Sequence, residues 1–176
     1  LSRIVMCSEK TEEDFIRACA ASFMLSADNA HGVHPNHTDK ACPTNRPYPG
    51  NGVVIKYSAN QKYTTDANQR DLAYKRIEPY LSDYMGKVFE EICNRANVPY
   101  QIYVNRSDIL GGSTLGNIST TQVPVNTVDI GLAQLAMHSP YETGSVKDTD
   151  YMIQAMKTFF EASVRQTEDG YELISR

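Results

Sequence analysis

The sequence predicts an α/β protein, a three-layer α/β sandwich, and three observations carry that expectation. Short apolar runs of strand length alternate with amphipathic stretches of helix length. No internal repeat or low-complexity tract interrupts the alternation. Two of the apolar runs close on side chains with chemistry, Asp28 after Phe23-Met24-Leu25 and His138 at the end of LAQLAMHS. In open α/β sheets, ligands collect at the carboxyl ends of strands.

Taken in order, Arg3 to Cys7 (RIVMC) reads as a short strand. Thr11 to about Ala21 reads as a helix: Thr11 can cap it, and Glu12, Glu13 and Asp14 suit the positive end of its dipole. Phe23 to Ala27 is a buried strand that ends at Asp28. From His34 to Gly52 the prolines 35, 43, 47 and 49 and the glycines 50 and 52 make one long irregular segment. In a compact domain such a loop is functional or disordered. Val53 to Tyr57 (VVIKY) is the next strand. Asp66 can cap a helix running to about Ile77, and Pro79 kinks it or starts a second, Tyr80 to about Ala96, with Leu81, Tyr84, Val88 and Ile92 along one stripe. Tyr100 to Val104 is a strand. Gly111 to Gly116 is a loop that opens a short helix, and Thr127 to Leu132 is another strand. Asp148 is expected to cap a last helix with Ile153, Met156, Phe160 and Val164 at helical spacing.

Composition narrows the function. The chain has 176 residues, enough for one domain with its own core. Its formal charge is −4, and no Lys/Arg cluster could track a phosphate backbone, which argues against nucleic acid. No run approaches the roughly 20 apolar residues of a membrane span, and no cleavable signal is visible. Cys7, Cys19, Cys42 and Cys93 form no CxxC pair. They read as reduced thiols of a cytoplasmic protein rather than a disulfide framework. The chain opens on Leu1 rather than Met, leaving room for an upstream segment.

Several residues could carry chemistry. An Asp in a turn is ordinarily a cap, but Asp28 follows an apolar run and precedes two histidines. Zinc accepts carboxylate together with imidazole. His31, His34 and His37 are spaced three apart, yet Gly32, Pro35 and Asn36 break any helix that would make them converge on one ion. One or two of them could instead line a pocket beside Asp28. His138, beside Met137, is either a satisfied core histidine or a ligand. GGSTLG (Gly111 to Gly116) matches neither common phosphate-loop pattern. It is a tight turn or a backbone passing close to a substrate. Lys56 lies inside an apolar strand, where it must either snorkel to solvent or hold a carboxylate in a cleft.

Four stretches together resemble the aspartyl aminopeptidase family of dinuclear zinc aminopeptidases, whose relatives include the vacuolar aminopeptidases. They are MLSADNAHGVHPN (24–36), VIKYSANQKYTTDA (54–67), GGSTLGNIS (111–119) and TVDIGLAQLAMHS (127–139). Their order and spacing are similar to the C-terminal part of that family's catalytic domain, with the oligomerisation domain absent. The resemblance implies an incomplete zinc-peptidase-like mixed sheet over residues 1–176. It implies hydrolysis of N-terminal residues, acidic ones (Asp or Glu) favoured, from peptide substrates by water activated between two zinc ions. By it, Asp28 is a carboxylate ligand to one metal and also lies against substrate, and His138 is the imidazole ligand to the other. His31 contacts substrate near the scissile group, Lys56 pairs with an acidic side chain, Tyr63 is a further substrate contact, and Gly111-Gly112 forms pocket wall. The general-base Glu and the remaining ligands have no counterpart here. Glu12-Glu13 and Glu90-Glu91 are the only adjacent Glu pairs, and both read as solvated helix faces. Pro140-Tyr141-Glu142 departs from the arginine-containing run of many relatives. The resemblance also implies a large homo-oligomer for the full-length protein and inactivity for this segment alone. The competing reading is a non-catalytic assembly or binding module that keeps the peptidase fold. A third is a mononuclear metal protein built on His31, His34 and His37.

Overall fold

The structure is a computed structural model. It describes residues 1–8, 10–57, 81–106, 108–109, 112, 114–167 and 170–175. The expected helix from Asp66, the helix break at Pro79, and Tyr63 and Gly111 lie outside the described residues.

Helices α1 (Ser2–Met6) and α2 (Glu12–Ala20) pack against each other. Then come β1 (Phe23–Ala27), the two-residue β2 (Ala30–His31), a 3₁₀ turn at Thr38–Lys40, and β3 (Val53–Tyr57). Next are α3 (Leu81–Arg95), β4 (Tyr100–Val104), α4 (Leu115–Gln122) and β5 (Asn126–Gly131). The two-residue β6 (Ala133–Gln134), α5 (Val146–Glu161), β7 (Ala162–Thr167) and β8 (Gly170–Ser175) complete the chain.

Strands β1, β5, β3 and β4 form a mixed sheet in that order. The outer pairs are parallel and the central β3–β5 pair is antiparallel. Alternation along the strands sorts their side chains by face. Val53, Ile55, Val128 and Ile130 turn to one side and pack with Phe89, Ile92, Cys93 and Ala155 of α3 and α5. Val54, Lys56, Tyr103 and Asp129 turn to the other side, where Val54 and Tyr103 cluster with Ala30 and Ala133. Helix α4 begins on that second side, its N-cap Thr114 bonded to Asp129. Layers of helix, mixed sheet and helix agree with the expected α/β class.

Three expectations are corrected. RIVMC is not a strand but α1: among the described residues no strand pairs with it, and none of its side chains is buried, Ile4 being 72% exposed. Asp148 does not cap α5, since Ser145 holds that position. Asp148 is instead fully buried one turn inside, where its carboxylate accepts the N–H groups of Gly50 (2.6 Å) and Gly52 (2.9 Å). It thereby pins the end of the proline-rich loop. The last apolar stripe is also misread. Ile153 and Phe160 face solvent, Ala155 is the buried position, and the helix stops at Glu161. Val164 belongs to β7, paired with Leu173 of β8. By contrast, α2 closes as expected. Thr11 and Asp14 form a reciprocal capping box, the Asp14 N–H donating to Thr11 Oγ1 and the Thr11 N–H to the Asp14 carboxylate.

Candidate active site

Asp28 follows the last residue of β1, and the chain then runs on beside the continuation of β5. The N–H groups of Asp28, Ala30 and Gly32 donate to the carbonyls of Ile130, Leu132 and Gln134 at 2.8–2.9 Å. Asn29 locks this run sideways. Its Oδ1 accepts the Leu132 N–H at 3.2 Å and its Nδ2 donates to Gln134 Oε1 at 3.0 Å. The short parallel pair β2–β6 extends the same register. The two backbones approach so closely at Gly131 that a Cβ there would lie 1.9 Å from the Asp28 carbonyl oxygen. Only glycine permits that approach.

Beyond β6, the segment from Leu135 to Thr143 doubles back. Leu135 and Thr143 exchange two backbone hydrogen bonds, of 2.8 and 3.0 Å. Inside that clasp Ala136 (φ 52°) and His138 (φ 66°) adopt left-handed backbone, uncommon for residues other than glycine.

These two arms flank one cleft of about 520 Å³. Asp28, His31, Lys56 and His138 all line it, and Gly112 contributes to its wall. His34 and His37 also border it. Their rings lie 5.2 Å apart, but among the described residues no group of three or more His, Cys, Asp or Glu converges as a metal ion requires. The three-histidine reading is therefore not supported by the geometry.

Lys56 is 1% exposed, so it does not snorkel. Its ammonium donates to the main-chain oxygen of Asp28 at 2.8 Å and stands 4.0 Å from the Asp28 carboxylate. The antiparallel register places Asp129, also fully buried, across the sheet from it. Burial pushes the lysine's pKa down, while the carboxylates of Asp129 and Asp28 oppose that shift. Thr114 in turn donates its hydroxyl to Asp129 at 2.8 Å. Desolvation of His31, reinforced by the neighbouring His138 and Lys56, lowers its pKa, against a smaller opposing pull from Asp28.

A carboxylate and an imidazole on one cleft fit part of a zinc site by donor chemistry, zinc taking oxygen and nitrogen ligands together. They do not complete one among the described residues.

The model of the "Aminopeptidase I zinc metalloprotease (M18)" family matches residues 1–160. The chain belongs to the M18 family. It is 43% identical over 160 residues to a "Probable M18 family aminopeptidase 2" of Clostridium novyi, covering 91% of this chain and 33% of that protein. It is 37% identical over 161 residues to a "Probable aspartyl aminopeptidase" of Ricinus communis, covering 92% of this chain and 30% of that protein. Among solved structures, one of an Ape4 and Nbr1 complex superposes with a TM-score of 0.73 at 32% identity, over 88% of this chain and 27% of that one. The "S. cerevesiae mApe1 dodecamer" shares the fold, with a TM-score of 0.64 at 23% identity over 88% of this chain and 30% of that one. The M18 segment thus spans about a third of the length of the curated relatives it matches.

The sequence reading overlooked several residues of the M18 cleft. Tyr103 and Asn105 line it, the Tyr103 hydroxyl donating to the Asn105 side chain. A signal for Tyr103 existed, since it pairs with Lys56 and so shares its face. Asp129, which does not line the cleft but accepts a bond from its lining residue Thr114, stands as the lone charge in an apolar TVDIG run and could have been flagged on the same ground as Lys56. The adjacent Glu pairs lie away from the cleft. Glu13, Glu90 and Glu91 form ion pairs with Arg17, Lys87 and Arg95. Glu90 is not simply solvated, for it also accepts the Tyr100 hydroxyl at 3.1 Å.

Proposed function

We propose that the polypeptide carrying this segment is a zinc-dependent aminopeptidase that removes N-terminal residues, preferentially Asp or Glu, from peptides. One observation carries the reading: in an M18 chain, Asp28, His31, Lys56 and His138, drawn from three separate segments, line a single cleft.

In this reading Asp28 offers a carboxylate oxygen and His138 an imidazole nitrogen as two of the ligands for a pair of zinc ions. Zinc, when bound, supplies a polarising Lewis acid and a water of lowered pKa. His31, neutral at pH 7 because its pKa is depressed, can exchange a hydrogen bond with the substrate near the scissile group without adding charge. Lys56 presents a cation at the base of the cleft. A substrate carboxylate compensates that cation, whereas a neutral side chain leaves a desolvated charge less well paired, and this favours acidic residues. Tyr63 is proposed as a further substrate contact. The general base and the remaining ligands come from outside this segment, which corresponds to the C-terminal part of a catalytic domain. A large homo-oligomer is supported by the dodecameric neighbour. A cytoplasmic site is supported by four free thiols.

The test is elemental analysis of the purified full-length polypeptide together with hydrolysis of aspartyl, glutamyl and leucyl anilides. Bound zinc and faster cleavage of the acidic anilides are expected, both abolished by Asp28→Ala and by His138→Ala. A protein that holds no zinc and cleaves none of the three would instead be a non-catalytic module.

A further inference from the structure

We propose that Glu142 is a positioning residue for His138. The inference rests on the reading that His138 works in the cleft as a metal ligand, and it adds how that side chain is held there.

His138 occupies left-handed backbone at φ 66°, and Ala136, two residues earlier, does so at φ 52°. Both conformations are disfavoured for side-chain-bearing residues and persist only where the surroundings over-determine them. The Leu135–Thr143 exchange closes the loop at its neck. The Ser139 N–H donates to the Ala136 carbonyl at 3.1 Å, and the Tyr141 N–H donates to Ser139 Oγ at 3.1 Å. None of these bonds engages the N–H of His138 itself. That donor goes to Glu142 Oε1 at 2.6 Å. A carboxylate accepting a backbone N–H makes a charge-assisted bond, stronger than a neutral one.

The geometry explains the consequence for the cleft. Met137 and His138 line it, whereas Glu142 does not. Among the described residues, Glu142 therefore meets the site through the backbone of His138. Relaxation of residue 138 into ordinary right-handed backbone would redirect its Cα–Cβ bond and carry the imidazole off the cleft wall. Glu142 opposes that relaxation at the one peptide group where it must begin. The family resemblance marks Pro140-Tyr141-Glu142 as divergent from many relatives, and the clamp rests on bonds within this chain.

The experiment compares Glu142→Ala, Glu142→Gln and His138→Ala in the full-length polypeptide. It measures kcat and KM on an acidic anilide, zinc retention against a competing chelator, and thermal unfolding. Outer partners of metal ligands typically contribute about tenfold or more to affinity or activity. Glu142→Ala is thus expected to lower kcat and zinc retention about tenfold with KM changed less than about twofold. Glu142→Gln, which keeps an acceptor oxygen, should recover most of that loss, and the melting temperature should stay near the parent's. If His138→Ala abolishes zinc binding and turnover while Glu142→Ala matches the parent, the positioning role is overturned and the functional reading stands. If Glu142→Ala and Glu142→Gln lose stability and activity alike, the residue is merely structural and the proposal falls. If His138→Ala leaves zinc and turnover intact, the reading of His138 itself fails, and this inference with it.

Discussion

The Lys56 ammonium lies 2.8 Å from the main-chain oxygen of Asp28 and 4.0 Å from its carboxylate. A single buried cation thus both fixes the backbone of one candidate ligand and faces its charge. Replacing it by methionine, of similar length, is expected to have two separable effects. The Asp28 carbonyl loses its cationic donor, costing about 1–3 kcal/mol in denaturant unfolding. In the full-length polypeptide, kcat/KM for aspartyl and glutamyl anilides should fall at least about tenfold more than for leucyl anilide, since 1.4 kcal/mol corresponds to a factor of ten. Equal losses on all three would leave Lys56 its structural role alone.

Gly131→Ala should be among the most damaging small substitutions in the chain. Its added methyl would sit 1.9 Å from the Asp28 oxygen, and backbone cannot yield as a side-chain tip can. Overpacking of this kind costs about 1–3 kcal/mol or more. Gly144→Ala, where the nearest atom to the new methyl is 4.0 Å away, should stay within about 0.5 kcal/mol of the parent. Paired urea melts of the two variants make the comparison.

Asp148→Ala would leave the N–H groups of Gly50 and Gly52 without their acceptor. A loss of about 2–4 kcal/mol is expected, one buried and one half-buried donor being left unsatisfied. Hydrogen exchange at those two amides should accelerate first. Asp148→Asn, which retains one acceptor oxygen, should lose less.

The four thiols should react in two classes. Cys7 is exposed and Cys42 half-buried, whereas Cys19 and Cys93 are buried. Hydrogen bonds from the Asn45 N–H and the Thr44 side chain lower the pKa of Cys42, so iodoacetamide should modify it ahead of the buried Cys19 and Cys93. Burial pushes Cys93 up to about 12 from an ordinary 9.0. Its folded-state value exceeds its unfolded one, so the associated stability is fully present below pH 9. It drains away as the pH climbs from 9 towards 12. Mass spectrometry after timed alkylation, and melts across that alkaline window, provide the checks.

The 176-residue chain on its own should take up zinc only weakly. Asp28 and His138 supply two donors, and a structural or catalytic zinc site needs at least three from protein. Isothermal titration with zinc alone should show no tight, stoichiometric binding, and Asp28→Ala should change the isotherm little. Tight binding of one or two ions would mean that this segment holds a ligand set beyond those two.

Much of this was legible from residue pattern. The four strands of the sheet are apolar runs of strand length, whereas their order and their parallel or antiparallel pairing had no signal in the residue pattern. Asp28 was legible because it follows one of those runs, and His138 because it closes the apolar stretch LAQLAMH, although the structure places it in a loop beyond β6 rather than at a strand end. Lys56 stood out as a charge inside such a run. What failed is equally physical. RIVMC has strand-like composition, but a strand needs a paired neighbour, and among the described residues α1 packs on helix α2 instead. The stripe through Ile153, Phe160 and Val164 has helical spacing, but tertiary pairing with Gly170–Ser175 converts the chain to strand from Ala162 onward. The Asp169-Gly170 dipeptide was the local hint of that hairpin. Asp148 occupies a cap-like position in sequence, yet the glycine amides that claim it lie about a hundred residues away, and no local pattern encodes them. The left-handed backbone at His138 has no signature either; the carboxylate that takes its N–H lies four residues on.

The Asn29 clasp and the β2–β6 pair weld the stretch after β1 to the stretch after β5. Asp28 and the neck of the His138 loop consequently ride on a common chassis, and thermal motion displaces them together instead of prying them apart. Whatever reaches this cleft from elsewhere meets a jaw whose gape is already set, and must find one alignment rather than two.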